Sequence, residues 1–229
     1  QAGEPRFLDS GGGGWQTGAL LSPDGKRLWQ PSGGMGMNDL TAGDVDGDGV
    51  SEFAVGYNGS GGIRLYDASG AQRWAEADGN VWHVEIVDTD GDGKPEILHS
   101  NASGELTRRD ASGKVLSRKG VEPYLSHFSV VEWPPSRKGL LHSVDDGTSV
   151  LEFDGAVRTH LKTPDTSALS DAVGAVTRLG GENHLVIANT SASWDRTQIF
   201  VFDERGALRF REVAPAECAT IAAPEEDSF

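Results

Sequence analysis

One stretch of nine residues occurs twice in this chain, and its spacing limits the folds open to it. Asp44-Val-Asp46-Gly-Asp48-Gly49-Val50-Ser-Glu52 returns as Asp88-Thr-Asp90-Gly-Asp92-Gly93-Lys94-Pro-Glu96, the two copies starting 44 residues apart. A fixed period of that size marks a repeat architecture, in which each unit buries its apolar surface only against the next. Each copy has three carboxylates at alternate positions, glycines that permit a sharp turn, and a fourth carboxylate at its ninth position. Converging oxygen donors of this kind suit a hard cation, and calcium is the expected ion.

A second signal keeps the same rhythm. Asp-Gly or Asp-x-x-Gly turns end at Gly25, Gly70, Gly113, Gly155 and Gly206, with separations of 45, 43, 42 and 51 residues. Turn chemistry of this sort between apolar runs predicts five β-hairpins. The spacing predicts strands over 39–43, 52–57, 62–66 and 71–74 in one repeat, and over 83–87, 96–99, 104–108 and 114–118 in the next. A third repeat keeps strands over 128–132, 139–143 and 149–153 but replaces the acidic loop with Trp133-Pro-Pro-Ser-Arg137. In the fourth, strands over 174–178, 184–188 and 198–202 surround Leu-Gly-Gly-Glu-Asn.

Four strands per repeat of roughly 40 to 50 residues, without helical periodicity, predict an all-β fold, a β-propeller. The N-terminal stretch reads as strands over 6–10, 18–21 and 26–29, and residues 217–222 read as an inner strand that would complete the same blade. The expected architecture is therefore one domain, 1–229, of five four-stranded blades (217–229 plus 1–30, 31–76, 77–120, 121–163 and 164–216). Pairing of N- and C-terminal strands would close the ring and remove exposed edges. The alternative is a fragment of a larger ring of about seven blades.

Composition removes several functions. With 35 acidic against 20 basic residues and a formal charge of −15, the chain is ill suited to a nucleic-acid backbone. No apolar run is long enough for a membrane span. Cys218 is the only cysteine, so no intrachain disulfide is possible. Calcium loops of ordinary affinity point to an extracytoplasmic setting, periplasmic, cell-surface or secreted, and a monomer is expected.

An EF-hand would need a bidentate Glu at loop position twelve and helices on both sides. Those positions are Val55 and His99, and the flanks read as strands. The segment Gly43-Asp-Val-Asp-Gly-Asp-Gly-Val-Ser-Glu-Phe-Ala-Val-Gly56, with Val87-Asp-Thr-Asp-Gly-Asp-Gly-Lys-Pro-Glu-Ile-Leu98, resembles instead the FG-GAP/VCBS repeats of integrin-α-like propellers. The resemblance is specific over two repeats, and strand rhythm alone extends it further. It implies two calcium sites, one held by Asp44, Asp46, Asp48 and Glu52, the other by Asp88, Asp90, Asp92 and Glu96. The main-chain carbonyls of Val50 and Lys94 would each add a ligand.

Two further groups follow from the blade pattern. Asp39, His83, His127 and Cys218 fall at or near one position of successive inner strands, where they could converge on a central channel as a transition-metal set or stand as ordinary channel residues. Of six tryptophans, Trp29 and Trp74 match on outer strands and are expected between blades. Trp82, Trp133 and Trp194 lie near strand ends, where a ring could stack on a sugar or anchor a protein partner. No nucleophile motif or phosphate loop is present. The expected function is a calcium-stabilised, non-enzymatic module that binds a protein or glycan through the loops opposite the acidic ones. A polysaccharide lyase or hydrolase working at the channel mouth, and a plain scaffold segment, are the alternatives.

Overall fold

The computed structural model of the protein describes residues 7–9, 18–31, 35–122, 124–134, 136–163, 169–191 and 196–215. Every described element is a β-strand, and the strands form five antiparallel sheets whose members follow in chain order. The first sheet has β1 (Phe7–Asp9), β2 (Ala19–Leu21) and β3 (Arg27–Trp29). The second has β4 (Met37–Gly43), β5 (Glu52–Tyr57), β6 (Ile63–Tyr66) and β7 (Gln72–Glu76). The third has β8 (Val81–Val87), β9 (Glu96–Asn101), β10 (Glu105–Arg109) and β11 (Val115–Gly120). The fourth has β12 (Ser129–Glu132), β13 (Lys138–Val144), β14 (Gly147–Leu151) and β15 (Val157–Lys162). The fifth has β16 (Leu169–Leu179), β17 (Glu182–Ser191), β18 (Thr197–Asp203) and β19 (Leu208–Ala214). The sheets fall into two compact units, Gln1–Ser126 with the first three and His127–Phe229 with the last two.

One local device repeats in all five sheets. The N–H of Gly25, Gly70, Gly113, Gly155 and Gly206 donates to the carbonyl three residues earlier at 2.8–2.9 Å. These glycines have φ between 75° and 89°, the left-handed region that side chains disfavour. Beside each turn the strand register slips by one residue, at Leu20/Leu21, Leu65/Tyr66, Arg108/Arg109, Val150/Leu151 and Val201/Phe202. This is the three-residue hairpin closed by a glycine bulge. Asp67, Asp110 and Asp203 reinforce it by accepting N–H bonds from residues two and four positions on.

In the first unit the expected tryptophan positions hold. The Nε1–H of Trp29 donates to the carbonyl of Gly70 at 3.2 Å, and that of Trp74 to Ala111 at 3.0 Å, so each ring on one sheet latches onto the hairpin turn of the next. A Cβ at Gly70 would lie 1.9 Å from the Trp29 ring, so the turn glycine also makes room for the latch. Trp29 further stacks on Phe53, with ring centroids 5.2 Å apart. The second unit has its own core, in which Val131, Trp133, Leu141, Val150, Leu185, Ile187, Phe200 and Phe202 pack together.

Strand ends shift from the sequence expectation by a few residues in most sheets, and two hairpin connections are tighter than expected. Val144 pairs with Gly147, so a two-residue Asp145-Asp146 turn starts β14 two residues early. Gly180 and Gly181, with φ of 60° and 86°, form a two-residue turn, and Leu179 pairs directly with Glu182. Positive φ at both central residues matches the twist of a hairpin, so β16 and β17 run longer than expected and leave no loop between them. The inner strand expected over 217–222 lies outside the described residues, as do Cys218 and Trp194.

Candidate metal centre

The acidic loops join β4 to β5 and β8 to β9, at the same place in the second and third sheets. Both use their first Asp as an internal acceptor. Asp44 accepts N–H bonds from Gly47, Asp48 and Gly49, and Asp88 accepts them from Gly91 and Gly93, at 2.7–3.1 Å. Asp48 accepts from the N–H of Val50, and Asp92 from that of Lys94. The glycines of both loops have positive φ, from 79° to 84°. The backbone thus curls around the first carboxylate, with Glu52 and Glu96 buried and the other Asp residues of each loop exposed.

In the first loop Asp44, Asp46 and Asp48 bring carboxylate oxygens within 4.8 Å of one another; in the second Asp88, Asp90 and Glu96 do so. Glu52, at the ninth position of the first loop, is only 3% exposed. It accepts the N–H of Val45 and lies 3.2 Å from the Arg73 guanidinium, which also pairs with Asp46 at 2.7 Å. Burial first, and then the charges of Asp46 and Asp48 against the offsetting Val45 and Arg73, push the Glu52 carboxyl above its usual value. Glu96 accepts from the N–H and hydroxyl of Thr89, and Arg108 donates to that hydroxyl. Clustered carboxylates with this much negative charge and all-oxygen chemistry fit calcium. Bound there, the ion would offset two of the negative charges of each loop.

Other residues singled out by the sequence separate. Asp39 on β4 and His83 on β8 do come together, with Oδ2 2.6 Å from Nδ1, and the other ring nitrogen lies 3.7 Å from Glu85. Burial opposes ionisation of Asp39, but His83 and the N–H groups of Val84 and Leu40 bring it below the usual carboxylate value. His127 is exposed and belongs to the second unit. Trp133 is 2% exposed within the second core, so it has no face left for stacking on a ligand. The cause is its neighbourhood: the ring joins the cluster of Val131, Leu141 and Phe200, while Pro134, Ser136 and Arg137 after it stay exposed. Trp82 is half-buried and meets Tyr124 edge-on at 5.6 Å, and Tyr124 is 46% exposed.

Sequence reading missed one buried cluster. Asp78, in the connection between β7 and β8, receives Arg109, Arg118 and His99, the histidine nitrogen at 3.1 Å. Nothing in the local pattern flags it, because its members lie on four separate segments.

The fold is shown by comparison with solved structures under 25% identical to the chain, the β-propellers BBS1N, BamB and Dos1 among them. Dihydro-heme d1 dehydrogenase NirN in complex with DHE aligns with 22% identity and a TM-score of 0.59, covering 86% of this chain and 42% of that one. BBS1N in complex with ARL6DN aligns with 14% identity and a TM-score of 0.58, covering 87% and 61%. BamB from Moraxella catarrhalis aligns with 18% identity and a TM-score of 0.53, covering 89% and 60%. The chain thus spans less than two thirds of the length of each. No curated protein sequence matches it. Residues 44–99, with both acidic loops inside them, match the FG-GAP-like repeat, and the fold is that of the β-propellers.

Proposed function

We propose that this chain is a calcium-stabilised, non-enzymatic binding module working outside the cytoplasm. The observation that carries the reading is the gathering of three carboxylates within 4.8 Å in each of two repeated loops. Asp44, Asp46, Asp48 and Glu52 would hold one ion and Asp88, Asp90, Asp92 and Glu96 the other, with the Val50 and Lys94 carbonyls adding oxygens. Calcium supplies the counter-charge that lets such loops stay ordered, and its binding free energy adds to folding. The ligand is a protein or a glycan, engaged by loops away from the acidic ones; the half-exposed Trp82–Tyr124 pair offers an aromatic surface of the right chemistry.

Titration calorimetry on chelator-treated protein tests the metal half, with two calcium-binding events expected and none fatal. A glycan array, and crosslinking capture followed by identification, test the ligand half; binding without turnover is the expected result.

The Asp39–His83 pair favours a second reading, an enzyme in which a carboxylate-held imidazole moves a proton. Loss of turnover of a polysaccharide in Asp39→Asn, with melting temperature unchanged, would support it over the first.

A further inference from the structure

We propose that Arg73 is a tethered cation for the Asp44 loop, holding its carboxylates together without metal and competing with calcium for them, whereas the equivalent position beside the Asp88 loop is Leu116. The proposal rests on the calcium reading above and concerns how the two loops differ.

The strand register identifies the position. In the second sheet Gln72 pairs with Tyr66 at the bulge, and Arg73 comes next. In the third sheet Val115 pairs with Arg109 at the bulge, and Leu116 comes next. In the fourth Val157 pairs with Leu151, and Arg158 comes next. These three residues are structural equivalents on the outer strands β7, β11 and β15. Their side chains have different consequences for the loop at the same end of each sheet.

Arg73 bridges Asp46 and Glu52, the third and ninth positions of its loop, which is a bridging role that a bound cation would take. Arg158 turns into the loop that lacks the acidic series. Its guanidinium donates to the carbonyls of Trp133, Arg137 and Lys138, while Glu152 balances its charge. A guanidinium at this position can therefore organise a β-loop-β corner by itself. Leu116 carries no charge, and beside it lies an open cavity of about 460 Å³ lined also by Val45, Asp90, Asp92, Lys94 and Glu96. Arg108 reaches that loop from a different position, through Thr89.

A monovalent, directional guanidinium satisfies two carboxylates but leaves the remaining negative charge of the loop unneutralised. Calcium entering the Asp44 loop must break the Arg73 pair or tolerate a positive charge beside it, and either lowers affinity. The Asp88 loop meets no guanidinium from this position. It is the tighter calcium loop and the one whose order depends more on the ion.

The test uses the full chain after chelation, titrated with calcium or with terbium read by luminescence. The two sites are assigned with Asp44→Asn and Asp88→Asn. Two unequal affinities are expected, with the Asp44 site weaker. Arg73→Leu should tighten that site by about tenfold and lower the melting temperature in chelator, because buried Glu52 loses its cationic partner and keeps only the Val45 N–H. Leu116→Arg, at a position 40% exposed, should weaken the Asp88 site by a similar factor, and it serves if Arg73→Leu fails to fold. Two sites of equal affinity that neither substitution moves overturn this proposal and leave the calcium reading standing. No calcium bound by the parent or any variant removes the calcium reading, and this proposal with it.

Discussion

Replacing Asp78 by asparagine tests how far the first unit depends on one buried carboxylate. The Asp78 side chain is 8% exposed, Arg109 is 3% exposed and His99 is fully buried, so the exchange leaves a guanidinium in a dry site without its counter-charge. Breaking a buried pair from one side costs about 3–5 kcal/mol. With a urea slope of about 1–3 kcal/mol per molar, the unfolding midpoint should fall by roughly 1–5 M. Denaturant unfolding followed by tryptophan fluorescence reads the loss. The double substitution Asp78→Leu with Arg109→Met should recover part of it, because an apolar pair removes the orphan charge. A fall of less than about 1 kcal/mol for Asp78→Asn alone would refute the reasoning, since it would mean that water already reaches the cluster.

The same cluster fixes a pH response. Burial opposes ionisation of Asp78, but His99 and Arg109 hold its carboxyl well below the usual range. A depressed acid means that the unfolded chain takes up a proton first, so this contribution is present above about pH 4 and declines as pH falls further. Burial outweighs Asp78 at His99 and keeps the imidazole below its ordinary value. The unfolded chain again binds the proton first, so a second loss begins as pH drops below about 6.5. Stability of the first unit should therefore decrease from neutral pH downward, and a flat profile between pH 7 and 4 would contradict this.

Other outcomes are equally specific. Trp74→Phe removes the hydrogen bond to Ala111 and should cost about 1 kcal/mol in chemical denaturation, with the outer strands otherwise in place. Gly70→Ala puts a Cβ at a positive φ of 84° and against the Trp29 ring, so a loss of more than about 1 kcal/mol is expected. Tyr57→Phe breaks the 2.8 Å bond between the Tyr57 and Tyr66 hydroxyls and should cost about 1 kcal/mol, while Tyr57→Leu should cost more. Calcium at a hundred times its dissociation constant should add about 2.7 kcal/mol per loop, seen as a rise in melting temperature that chelator reverses.

What the sequence alone determined is local and periodic. The five hairpins could be read in advance because each turn needs a glycine at one backbone position, and glycine is visible in a string of letters. The two acidic loops were legible for a similar reason: their donors lie within nine residues, and the chain curls around its own first carboxylate. The matched positions of Trp29 and Trp74 follow from the same period. Tertiary structure decided whatever depends on residues distant in the chain. Trp133 looked like a loop residue free to meet a ligand, but it packs against Leu141 and Phe200 in the second core. Asp39 and His83 were aligned by counting along inner strands, yet their 2.6 Å contact depends on how β4 and β8 lie side by side. Arg73 shows the limit most clearly. It stands 27 residues from Asp46, and only the register of β6 with β7 turns an ordinary outer-strand arginine into the cation of the loop. Backbone preferences act through neighbours and so leave a mark in sequence, whereas charge acts through space and becomes readable only once the sheets are packed.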